Sequence, residues 1–222
     1  DVYKRQIMEG ENMAVQLLEQ WLLKEQKKLQ DNYQELNQVS VKDPDTLFIG
    51  DSIIEYYPIH ELLQSSKTLV NRGIRGYKTD LLLEHLEVHL FGETLDKIFI
   101  LIGTNDIGKE MTQEQTLANM EAIIQEIARL YPLAQVYLLS VLPVNQDEKY
   151  QSTVYVRTNE KIASLNQEYR NLASIYMNTQ FINVYEVFLD SKEQLREDYT
   201  TDGLHLNISG YVALSKVLQE YL

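Results

Sequence analysis

From Thr46 onward the chain alternates short, almost wholly apolar runs with longer amphipathic stretches, and this alternation constrains the fold more than any other property. Thr46–Gly50, Thr68–Val70, Lys97–Ile102, Gln135–Val141 and Phe181–Val184 read as strands. Most of them lack the in-out polar alternation of a half-solvated strand, as expected where both faces of a sheet are covered. Amphipathic patterns near Thr79–Leu90, Thr112–Tyr131 and Val154–Asn178, and a last one over Asn207–Tyr221, predict helices between and after them. Repeated strand-helix alternation predicts an α/β protein with a doubly wound parallel sheet and helices on both of its faces.

Ahead of this body, Met8 to Asn37 contains no proline and one glycine, with Ala14, Leu17, Leu18, Trp21, Leu22, Leu29, Tyr33 and Leu36 at spacings of three and four. That pattern predicts an N-terminal amphipathic helix. Ser40, Asp43, Pro44 and Asp45 end it and form a connector, which divides the chain into residues 1–45 and a body over 46–222. The stripe of Leu17, Leu18, Trp21 and Leu22 is expected to be buried against the body or against a second subunit, since an exposed stripe of this size is adhesive. A homo-oligomer through this helix is therefore one expectation.

Composition narrows the function. With no cysteine among 222 residues there is no thiolate nucleophile, no cysteine-ligated metal and no disulfide. The 33 acidic against 20 basic residues give a net charge of −13, which repels nucleic-acid backbones and anionic lipid. The longest apolar runs fall far short of the ~20 residues that span a bilayer. The first residues mix Asp1, Lys4, Arg5, Glu9 and Glu11 with apolar side chains and show no export signal, so a cytoplasmic location is expected.

In doubly wound sheets, reactive groups gather where strands end at their carboxyl edge. The first strand runs into Gly50-Asp51-Ser52, which sets a hydroxyl at that edge. The second leads to Asn71-Arg72-Gly73-Ile74-Arg75-Gly76, whose glycines let the backbone turn and present N–H groups. After the third comes Gly103-Thr104-Asn105-Asp106, with a carboxamide donor, and before the last helix stands Asp202-Gly203-Leu204-His205. A serine needs a base, the base an orienting acceptor, and a developing oxyanion fixed donors. Each role has a candidate at one of these loops. Taken singly, Ser52 could be a helix N-cap, Asn105 a turn residue and His205 a structural histidine.

These four ordered motifs resemble those of the SGNH hydrolases, the GDSL esterase and lipase superfamily, over roughly Thr46 to Leu222. The resemblance implies a three-layer, flavodoxin-like α/β/α fold with a five-stranded parallel sheet, carrying the N-terminal helix as an extension. It implies Ser52 as nucleophile, Asp202 and His205 as orienting acid and base, and an oxyanion hole formed by Ser52 N–H, Gly76 N–H and the Asn105 side chain. No metal or organic cofactor is needed, and the expected partner is a small-molecule ester, short acyl groups being preferred. Lysophospholipids and thioesters fit the same machinery. The sequence departs from many members at Ile53-Ile54 and at Tyr77, positions that bear on pocket lining.

The remaining candidates are weaker. Arg72, Arg75 and Lys78 flank Gly76 and are either a solvated loop or contacts to a polar substrate group; Tyr56 and Tyr57 either line an acyl pocket or belong to the core. Asp51 and Asp106 are expected to hold loops. His85 and His89 share metal-ligand spacing, but His85-Leu86-Glu87-Val88-His89 lacks the glutamate that a zincin places directly after its first histidine. Two rivals to an esterase are a non-catalytic module on the same fold, which would have no need of the full residue set, and a nucleotide binder, for which no glycine-rich phosphate loop follows the first strand.

Overall fold

The computed structural model describes residues 2–40 and 43–222. Its elements are α1 (Val2–Val39), β1 (Thr46–Gly50), α2 (Ser52–Glu55), α3 (Ile59–Leu62), β2 (Leu69–Gly73), α4 (Thr79–Glu84), α5 (Leu86–His89), β3 (Lys97–Leu101), α6 (Thr104–Gly108), α7 (Gln113–Leu130), β4 (Gln135–Leu139), α8 (Gln151–Val154), α9 (Asn159–Ala173), β5 (Thr179–Ile182) and α10 (Ile208–Leu218). The five strands form one sheet in the order β2-β1-β3-β4-β5, and every neighbouring pair is parallel.

The apolar strands explain the layers. Successive side chains point to opposite faces, so Leu47, Ile49, Ile98, Ile100, Val136 and Leu138 meet Leu82 of α4, Met120, Ile123, Ile124 and Ile127 of α7, and Ile162, Leu165 and Tyr169 of α9. Phe48, Phe99, Leu101, Tyr137 and Leu139 meet Ile53 and Ile54 of α2, Ile59 of α3, and Tyr211, Leu214 and Leu218 of α10. On that second face the rings of Phe48, Phe99 and Tyr137 stack along three adjacent strands at centroid spacings of 4.8 Å. This is the three-layer, flavodoxin-like architecture implied by the sequence, with the motif loops at the carboxyl edge of the sheet.

Element ends follow local chemistry. Thr112 closes a capping box with Gln115 at the start of α7, and Asn207 accepts the Gly210 amide at the start of α10. The helix expected over Thr79–Leu90 breaks at His85, where φ is −118° and ψ is 31°. The pair His85 and His89 therefore does not share one continuous helix. The helix expected over Val154–Asn178 is Asn159–Ala173, because Tyr155 takes a left-handed φ of 57° just after α8 and Thr158 starts a new helix as its cap.

The N-terminal helix docks on the body with only part of the expected stripe. Its contact row is Leu22, Gln26, Leu29, Tyr33 and Asn37: Gln26 donates to Arg75 O at 2.9 Å, Gln30 to the Tyr77 hydroxyl at 2.6 Å, Tyr33 to Gly73 O at 2.9 Å and Asn37 to Val88 O at 2.9 Å. Leu17, Leu18 and Trp21 stay 60%, 66% and 52% exposed. Within this chain Leu17, Leu18 and Trp21 are thus not buried while Leu22 is half-buried, and the helix is held by amide and phenol groups that reach the carbonyls of Gly73 and Arg75, the Tyr77 hydroxyl and the Val88 carbonyl of α5. Apolar periodicity marks Leu22, Leu29 and Tyr33 of the contact row but not Gln26 or Asn37.

His89 is fully buried; its Nδ1–H donates to Arg72 O at 2.6 Å and its Nε2 meets no hydrogen-bond partner among the described residues. Burial pushes its pKa down to about 4. The unfolded chain then binds a proton near the ordinary value of ~6.5 that the folded chain refuses until about 4. Stability contributed by neutral His89 is present above that window and is lost as pH falls through it, by about 3 kcal/mol in all. Thermal melts from pH 7 to pH 4 are expected to show a steeper loss for the wild type than for His89→Gln; parallel curves would refute this.

Candidate active site

The site begins with Gly50. A Cβ there would lie 2.0 Å from Leu101 O, so only glycine lets β1 pass this close to β3 as the chain leaves the sheet. Asp51 then caps α2, its Oδ1 accepting the Ile53 amide at 2.9 Å. Its carboxyl is pushed up to about 7 by burial. Ser52 follows as the first residue of α2, and its Oγ lies 3.1 Å from His205 Nε2.

His205 is oriented by the loop that carries it. Its Nδ1–H donates to Asp202 Oδ2 at 2.7 Å, while Asp202 Oδ1 accepts the amides of His205 at 2.8 Å and Leu204 at 3.1 Å. Burial alone would raise the Asp202 carboxyl, but the hydrogen bonds and charge of His205 and the Leu204 amide outweigh it and hold the pKa at about 2. Thr200 Oγ1 donates to His205 O at 2.6 Å and accepts the Gly203 amide at 3.0 Å, closing the loop on itself. Gly203 has φ of +82°, and a Cβ on it would enter the Tyr150 side chain at 2.6 Å. The three-residue spacing of Asp202 and His205 is thus a built turn.

The two donor loops are tied together. Asn105, on α6, donates from Nδ2 to Tyr77 O at 3.0 Å, which joins the β3 loop to the β2 loop just after Gly76. Asp106 accepts both the amide and the hydroxyl of Thr79, making a second tie between them. Burial raises its carboxyl. Among the described residues neither the Ser52 amide nor the Gly76 amide meets a protein acceptor. Gly76 has φ of +73°, and a Cβ there would press on Leu22 and Gln26 of α1 at 2.9 Å. The N-terminal helix therefore borders the site.

Four of the weaker candidates are engaged within the fold. Arg72 is buried 4.8 Å from the ring centroids of Tyr33 and Phe91, and donates to Asn37 Oδ1, so it fastens α1 to the body. Tyr57 is a core residue, stacked on Tyr211 at 5.2 Å and hydrogen-bonded to Ser215 at 2.6 Å. Arg75 is engaged by Glu55 in a forked ion pair, and Lys78 by Asp80 at 2.6 Å. Tyr56 alone of this group stands beside the histidine, with ring centroids 6.0 Å apart and 45% of its surface exposed. Ile53, Ile54 and Tyr77 are core residues rather than pocket lining.

Two participants escaped the sequence reading. Glu55 accepts the Arg75 amide at 2.6 Å and so fixes the β2 loop against α2. Arg157 donates to Thr104 O at 2.9 Å and to Asn105 Oδ1 at 3.1 Å. A glutamate three residues after a loop serine carries no signal by itself. Arg157 lies 52 residues from Asn105 in sequence, and no pattern in one chain links them.

A five-stranded, flavodoxin-like sheet with a serine, a histidine and an aspartate joined in one hydrogen-bonded row at its carboxyl edge defines the SGNH class of hydrolases. The GDSL-like lipase/acylhydrolase family model matches residues 48–213, and the chain belongs to that family. A solved structure from Streptococcus pneumoniae, described provisionally as a platelet activating factor, is 60% identical with a TM-score of 0.93, covering 95% of this chain and 98% of that one. Human platelet-activating factor acetylhydrolase IB subunit alpha2 is 30% identical over 185 residues, 82% of this chain and 77% of that protein. An N-acylneuraminate cytidylyltransferase of Escherichia coli is 30% identical over 178 residues, and the match spans 40% of its length. Among the described residues no helix is long and apolar enough to cross a membrane.

Proposed function

We propose that the protein is a serine esterase that cleaves short-chain carboxylic esters through an acyl-enzyme. The observation that carries this reading is the continuous row from Ser52 Oγ to His205 Nε2 at 3.1 Å and from His205 Nδ1 to Asp202 Oδ2 at 2.7 Å. Ser52 Oγ attacks the ester carbonyl as Nε2 takes its proton, and Asp202 stabilises the imidazolium without being protonated. The oxyanion is held by the amides of Ser52 and Gly76 and by Asn105 Nδ2. The imidazolium then protonates the leaving alcohol, and water, activated by the same histidine, releases the acid.

Short acyl groups are favoured by what borders the site. Tyr56 stands beside His205, and Leu22 and Gln26 lie over Gly76, so the space next to the oxyanion donors is confined. Relatives at about 30% identity are named as acetylhydrolases, which agrees with a small acyl group. The test is kcat/KM for p-nitrophenyl esters from acetate to palmitate. Each methylene buried in a long apolar channel would add up to ~0.8 kcal/mol, about fourfold. The expected profile is flat or falling beyond butyrate. A steady rise would refute the short-acyl preference and favour lysophospholipid-like substrates.

A further inference from the structure

Arg157, between α8 and α9, is largely withdrawn from solvent and makes no direct ion pair among the described residues, the carboxylates of Asp51 and Asp202 acting on it only through space. Its fork is spent entirely on neutral oxygens. Nε donates to Thr104 O at 2.9 Å, one terminal nitrogen to Asn105 Oδ1 at 3.1 Å, and the other to the carbonyls of Thr153 at 3.2 Å and Val154 at 3.3 Å. Burying a guanidinium without a direct ion pair is costly, and the distant carboxylates of Asp51 and Asp202 offset that cost only in part, since burial remains the larger influence on it. The chain also makes special room for it. Gly108 on α6 has no Cβ, and one placed there would lie 2.2 Å from the guanidinium, while Tyr155 takes a left-handed φ of 57° two residues before the arginine.

A carboxamide can present either its oxygen or its nitrogen to an oxyanion, and only the nitrogen helps. Here both ends are fixed: Oδ1 receives Arg157, and one hydrogen of Nδ2 is given to Tyr77 O at 3.0 Å. The second Nδ2 hydrogen is what remains for a ligand. A cation on Oδ1 also draws electron density from the amide nitrogen and strengthens its N–H as a donor. We propose that Arg157 is a positioning residue for ester hydrolysis, which caps Asn105 Oδ1 so that the Asn105 carboxamide donates to the oxyanion. This rests on the esterase reading above.

The experiment is a double-mutant cycle on p-nitrophenyl acetate with Asn105→Ala and Arg157→Leu, alone and combined, and with Arg157→Lys as a second probe should the leucine variant fold poorly. Arg157→Leu is expected to lower kcat roughly 10- to 100-fold with KM moved less than about threefold, because the oxyanion forms only in the transition state. Arg157→Lys keeps the charge but lacks the planar fork that spans Thr104 O and Asn105 Oδ1, so it recovers only part of this loss. In the Asn105→Ala background either substitution is expected to change kcat less than about twofold. Equal losses in both backgrounds, or an effect confined to KM, would overturn the proposal. If Ser52→Ala and Asn105→Ala leave hydrolysis intact, the esterase reading fails instead.

Discussion

Ser52→Ala is expected to cut hydrolysis of p-nitrophenyl acetate by roughly 10⁵-fold or more, leaving only what oriented donors give to attacking water. Fluorophosphonate labelling should vanish with it. Ser52 Oγ is the hydroxyl that meets the imidazole, and a serine without such a base is a weak nucleophile at neutral pH. The fold should survive. The lost hydroxyl had His205 Nε2 as its partner, and the His205 side chain is 29% exposed, so water can replace the bond. A change in stability within about 1 kcal/mol is therefore anticipated from thermal or urea unfolding. Labelling that persists in the alanine variant would place the nucleophile elsewhere.

The strands and the four motif loops were legible because each rests on a local cause. Apolar runs of about five residues bounded by turn residues are too short for helices and read as interior strands, and the glycines at 50, 76, 103 and 203 stand where the backbone takes a positive φ. The turn that brings Asp202 to His205 is equally local, since both amide bonds to Asp202 Oδ1 span two or three residues. What the sequence hid was of another kind. Arg72 and Arg75 look like free cations beside a donor loop, but the groups that claim them, Asn37 and Glu55, lie 35 and 20 residues away. Tyr57 follows the serine closely yet points into the second core, because α2 is a single short turn and the chain re-enters the layer through α3. The N-terminal helix was legible as a helix, and three members of its docking row, Leu22, Leu29 and Tyr33, lie within its apolar spacing. The polar contacts were not legible, because Gln26 and Tyr33 reach the carbonyls of Arg75 and Gly73, Gln30 the Tyr77 hydroxyl and Asn37 the Val88 carbonyl of α5, groups that only the folded body brings together.

Replacing Asp202 by asparagine should be almost as damaging as removing the serine, and the geometry says why. Oδ1 of Asp202 is pinned by two amide donors, from His205 and Leu204. An asparagine at this position must keep its oxygen on those amides, since its NH2 group cannot accept them, and so it turns that NH2 toward His205 Nδ1. The imidazole then has to offer a lone pair at Nδ1 and carry its proton on Nε2. That tautomer donates to Ser52 Oγ and cannot take its proton. A fall in kcat of roughly 10⁴-fold at pH 7 is expected, with KM little changed and the turn intact. Asp202→Ala also removes the acceptor for both amides, but it leaves the imidazole free to adopt either tautomer, so it should retain more activity per folded molecule than the asparagine variant. The comparison needs kcat for both variants per mole of folded protein, with circular dichroism to confirm folding. If Asp202→Asn lost less than tenfold, the carboxylate would not be setting the tautomer, and its low pKa of about 2 would reflect only the local turn.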